Sequence, residues 1–141
     1  MADIQFPNVL FPPPGEFTAV LNDNNGVPSS VIDAGTEFTI DAKWEISLLA
    51  ALLMGGDWQV AAYAESIGPG EEKQIGPTQT VALNGGTNYA TQIKVPANTL
   101  PDNVLPGQSG AYKIVVLLTH LNFGKISDVS AVVEFPVVRI A

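Results

Sequence analysis

His120 is the only histidine of the chain and the natural starting point for any reaction chemistry. A general base or a triad histidine needs a carboxylate and a nucleophile placed around it. Ser127 and Asp128 lie just across the turn at Gly124, close enough in sequence for contact. No nucleophile-elbow or comparable motif accompanies them, and a structural or surface histidine is the expectation. The chain has no cysteine, so disulfides, thiolate ligands and a cysteine nucleophile are excluded. One histidine without cysteine also excludes a conventional zinc site.

Other oxygen-rich stretches fare no better. Aligning Gly26 of the 21–26 segment (LNDNNG) with the sixth position of a calcium loop puts Leu21 first and Ile32 twelfth. Both ligand positions fail, and Asn25-Gly26 reads as a tight turn. The run Gly68-Pro69-Gly70-Glu71-Glu72-Lys73 has Lys where a dinucleotide fingerprint needs Gly, and two acids that would repel phosphate. Glu37, Asp41 and Glu45 are spaced by two, as on the wet face of a strand; a glycosidase dyad is not the expectation. The residues therefore point to a protein that is not an enzyme, with no catalytic residue, metal or cofactor assigned.

Six basic residues stand against fourteen acidic ones among 141, for a net charge of −8. The cations are scattered, whereas phosphate backbones need them clustered, so no nucleic-acid partner is expected. Anionic membrane surfaces are disfavoured for the same reason. No stretch reaches the roughly 18 apolar residues of a membrane span. The first ten residues lack a basic stretch followed by an apolar one, so cytoplasmic synthesis without classical secretion is the default expectation.

The elements that must carry these residues are strands. Phe38, Ile40, Ala42, Trp44 and Ile46 alternate with Glu37, Thr39, Asp41, Lys43 and Glu45, a period of two with one dry face. The rhythm returns at 57–66 and 89–95. Residues 17–22 form a short first strand that 31–33 continues, and two short strands fall near 72–75 and 78–83. Residues 111–122 are apolar on both faces, as in a strand covered on both sides. A last strand, 126–140, is interrupted by Pro136. Between the second and third long strands, residues 47–54 are good helix formers, with Ser47 as cap and Gly55 as stop. Residues 1–15 read as a Pro-rich apolar arm, and 16–141 as one β-sandwich domain.

Gly110-Ala111-Tyr112 opens a long strand after an irregular connection, Trp58 begins the third strand, and the last two long strands form a hairpin across Gly124. In these features the segment 17–140 resembles an immunoglobulin-like β-sandwich: a tyrosine corner, a buried strand-C tryptophan and an F–G hairpin. The resemblance implies an all-β, two-sheet antiparallel sandwich of 7–9 strands, with one short helix at 47–54. The antibody cysteine pair is absent, and the connection at 47–56 is long and apolar. Folds of this type mostly serve binding, adhesion or structure, an inference by analogy.

Three apolar features exceed what one sandwich core requires. They are the arm (Phe6, Leu10, Phe11), the 47–54 segment (Leu48, Leu49, Leu52, Leu53, Met54), and the second face of the long strand (Val115, Leu117), beside Tyr63. The arm either packs on its own sandwich or on a neighbouring subunit. Such patches mark interfaces, with a protein or less readily a lipid surface, unless the arm or the 47–54 segment folds over its own sheet. The expected function is a non-enzymatic structural or assembly module that self-associates or docks to a protein partner through the arm and the sheet face. The alternative is a recognition domain holding a glycan or peptide in its end loops, with Trp58, Tyr63 and Tyr89 as candidate platforms, although core burial is the expectation for Trp44 and Trp58.

Overall fold

The alternating pattern at 38–46 becomes a strand whose inward side chains are buried at every second position. In the computed structural model, residues 2–4, 15–68, 72–101 and 110–141 are described. Their strands are β1 (Ala2–Asp3), β2 (Gly15–Asn22), β3 (Val31–Ile32), β4 (Phe38–Ile46), β5 (Asp57–Ser66), β6 (Glu72–Ala82), β7 (Asn88–Val95), β8 (Ala111–Asn122), β9 (Lys125–Glu134) and β10 (Val138–Ile140), with one helix, α1 (Leu48–Leu53). The molecule is an all-β two-sheet sandwich. One sheet has the order β1-β2-β4-β7; the other runs β3-β10-β8-β5-β6, with β9 also on β8. β9 and β10 lie along one edge of β8 in succession, parted by the break at Pro136 that the sequence predicts.

Ten strands form among the described residues where seven to nine were expected, because β1 and β3 add two-residue strands and Pro136 splits the last one. Two expectations need correction. Residues 31–33 do not continue the first strand: β3 crosses to the other sheet and pairs parallel with β10, Val31 opposite Arg139. The stretch 72–83 is one strand, not two. Gly76, Pro77 and Thr78 together oppose the single residue Ala61, a bulge that tolerates Pro because its ladder bond is already lost. A Cβ on Gly76 (φ 70°) would meet Ile93 Cγ2 at 2.5 Å, so the bulge presses β6 against β7 and closes that edge of the sandwich.

The inward faces meet in an aromatic cluster. Trp44 of the first sheet stands edge-on to Trp58 of the second, 6.1 Å between centroids, and stacks on Tyr89 at 5.9 Å. Phe17 packs edge-on against Trp44. Both indole Nε1 groups are buried without a hydrogen-bond acceptor. At the opposite end, the Tyr112 hydroxyl donates to the Pro101 carbonyl at 2.7 Å and ties β8 to the preceding connection.

Candidate docking end and sheet face

Four connections meet at one end of the sandwich. Gly15 pairs with Ile46, the residue before the Ser47 cap, so the chain enters β2 beside α1. Ile46 N donates to Thr87 O, and Leu83 N to Gly56 O, which brings in the 83–87 connection. The β8–β9 hairpin completes the group, because Leu121 opposes Asp57.

His120 fastens this end. Its Nε2 lies 2.7 Å from the Gly55 carbonyl, which can only accept, so Nε2 carries the hydrogen and donates. Nδ1, 2.8 Å from Ser127 Oγ, then accepts from the hydroxyl, and Ser127 Oγ accepts in turn from Val129 N. A bulge sets up the contact: three residues, 127–129, oppose His120 alone. The ring is buried and edge-on to Trp58 at 5.3 Å. The Ser127 contact read from the sequence thus forms, with a backbone carbonyl in the place where a triad would have a carboxylate. Substituting His120→Phe removes two buried bonds, and denaturant unfolding should show a loss of about 2–4 kcal/mol.

α1 forms as the sequence suggests at its start: Ser47 Oγ accepts from Ala50 N at 3.1 Å. It ends one residue before Met54, which is extended (φ −101°) and half-buried against the core. The orientation is the reverse of an ordinary amphipathic helix. Ala50 and Ala51 face the core, while Leu48, Leu49, Leu52 and Leu53 are 67, 46, 72 and 73 % exposed. No charge stands in its first or last turn.

The second surface is the outer face of the larger sheet. The register sets Tyr63 beside Val115, and Ala61 beside Leu117 and, through it, Val132. Tyr63 and Val132 are exposed; Val115 and Leu117 are half-buried. Polar rows bound this stripe: Gln59, Thr119 and Ser130 on one side, and Lys113 with its ion pair to Glu134 (3.3 Å) on the other. Of the three rings considered as platforms, Trp58 and Tyr89 are buried and Tyr63 alone reaches the surface. Phe6, Leu10 and Phe11 lie outside the described residues, as do residues 69–71 of the glycine-proline turn. Ala2–Asp3 pairs with β2 and Ile4 is buried in this chain's own sandwich.

No family model, curated protein or solved structure matches this chain. Among the described residues no helix is long and apolar enough to cross a membrane, and no group of three His, Asp or Glu is placed to hold a metal ion. An open depression of about 380 Å³ lies on the outer face of the smaller sheet, lined by Glu16, Thr18, Lys43, Glu45, Asn88 and Ala90. Its side chains project from exposed strand positions, with no buried ionisable group converging on it.

Sequence reasoning missed Phe123, which is 91 % exposed at the hairpin apex, and Ile126, 76 % exposed beside it. Phe123 has φ 50° and Gly124 φ 81°, both positive, as in a two-residue type I′ turn. That turn favours Asn or Gly at its first position, and a bulky aromatic there is strained. The signal lay in the spacing: a two-residue turn ending in Gly124 must put residue 123 at the tip.

Proposed function

We propose that this chain is a non-enzymatic assembly module, of immunoglobulin-like topology, that docks onto a second copy of itself through the α1 end and the outer face of the larger sheet. The observation that carries the reading is the inverted helix. A helix that turns its alanines inward and four leucines outward leaves in water the side chains worth about 1.5–3 kcal/mol each on burial. Monomeric proteins rarely keep such a patch exposed. Phe123 and Ile126, at the same end, extend it, and strain tolerated at the apex fits a side chain kept for contact.

The topology supports the finer fold reading. With β2 as strand A, β3 as A′, β4 as B, β5 as C, β6 as C′, β7 as E, β8 as F and β9–β10 as G, the sheets group A, B and E against C, F and G. The Tyr112–Pro101 bond and buried Trp58 occupy the places of the tyrosine corner and the strand-C tryptophan. The function does not follow from the fold; it rests on the exposed leucines.

Light scattering on the purified chain at micromolar concentrations tests it. The expected mass is an integral multiple, two or more, of the monomer's. A monomer mass across the whole concentration range would refute self-assembly.

A further inference from the structure

We infer that in the assembled form β1 is exchanged, so that Ala2–Ile4 of one copy pairs with β2 of the other; this rests on the self-assembly reading above. β1 is a short plug. Its ladder is two residues, Ala2 opposite Phe17 and Asp3 opposite Glu16, followed by one bond from Ile4 N to Gly15 O at 3.0 Å. Ile4 is its single buried large side chain and belongs to the core cluster.

The socket is shaped for this plug. A Cβ at residue 15 would lie 2.9 Å from Ile4 Cδ1 and 2.5 Å from the Glu45 carbonyl, so Gly15 is what lets Ile4 seat. Releasing the plug exposes one isoleucine and breaks a short ladder, a small part of what holds the domain. Seating an identical plug from a second copy restores every one of those contacts.

The positions of Ile4 and Gly15 decide the partner. Ile4 and Gly15 sit at the α1 end, with Gly15 opposite Ile46. The ten residues between them, 5–14, therefore start and finish at the surface proposed to dock. Ten residues can span at most about 33–36 Å, roughly the width of such a domain. They include Pro7, Pro12, Pro13 and Pro14. Two copies meeting through α1 bring each plug near the partner's socket, and the exchange links them at high effective concentration.

The absence of cysteine makes a direct test possible. Asp3 and Glu16 are ladder partners, and both are exposed, so Asp3→Cys and Glu16→Cys leave the core untouched. In one chain together, the two cysteines report a plug seated at home. Co-expressed on separate chains of different tag length, they can form a ladder disulfide only when the plug has crossed over. After mild oxidation and non-reducing electrophoresis, exchange predicts the D3C–E16C heteropair, roughly tenfold above either homopair, as expected of thiols held in register and not meeting by diffusion. An oligomeric mass with only the intrachain disulfide in the double variant, and no excess of heteropair, overturns the exchange and leaves self-assembly standing. A monomeric mass overturns both.

Discussion

Leu52→Asp should leave the fold intact and take the assembly apart. Leu52 is 72 % exposed on α1, and neither its side chain nor that of Leu53 belongs to the core cluster. The helix keeps its Ser47 cap and its buried Ala50 and Ala51. Circular dichroism and the thermal midpoint of the dissociated chain should therefore stay close to the parent. Each leucine covered by a partner contributes about 1.5–3 kcal/mol, and in an isologous pair each position counts twice. One substitution thus removes about 3–6 kcal/mol, a weakening of Kd by roughly a hundredfold to ten-thousandfold. Burying the new carboxylate without a partner adds to the loss. Leu53→Asp should behave alike. Val20→Asp, on an exposed position of β2 away from this end, is the control and should leave the mass unchanged. An unfolded Leu52→Asp chain would place the segment in the monomer's own core. A folded variant that still assembles would move the interface elsewhere.

Much of the frame was legible because strand parity is a local property. The alternation in 38–46 and 111–122 gave the buried faces directly, and setting β5 beside β8 in one sheet put Tyr63 near Val115 and Leu117; the exact register comes from the structure. Parity does not name a strand's partner. Val31 and Ile32 carry the same local signal whether they extend β2 or cross to β10, and the deciding bonds come from residues more than a hundred positions away. Gly76-Pro77 reads as a chain break in one dimension and is a bulge in three, because β5 continues past it. The helix is the clearest limit. In LLAALL, hydrophobicity argues for leucine inside, yet Ala50 and Ala51 are the buried residues and the four leucines turn out. The candidate docking end was thus half visible: its leucines by composition, its hairpin apex not at all.

The largest effect on the candidate end should come from the smallest change, Gly56→Ala. Gly56 has φ 94°, in the left-handed region, and a Cβ there would stand 2.1 Å from the Leu121 carbonyl oxygen and 3.3 Å from Asn122 Cα. Both neighbours are backbone of the β8–β9 hairpin and cannot rotate away. A left-handed alanine costs about 1–2 kcal/mol, and forcing the strands apart a further 1–3 kcal/mol. The total, about 2–5 kcal/mol, corresponds to a midpoint lowered by roughly 7–17 °C. The damage should spread along the connection. Gly56 O accepts from Leu83 N, and Gly55 O from His120 Nε2, so displacing this strand entry loosens the 83–87 connection and the histidine together. It also moves α1 relative to Phe123, so the assembled mass should fall at temperatures where the chain is still folded. Gly55→Ala isolates the cause: its added Cβ meets nothing within 4 Å. Melting both variants at one fixed, low concentration, where association adds nothing to the midpoint, should show Gly55→Ala near the parent and Gly56→Ala far below it. Equal midpoints would mean that the 54–57 backbone is not clamped against the hairpin, and the common end built from α1 and Phe123 would lose its physical basis.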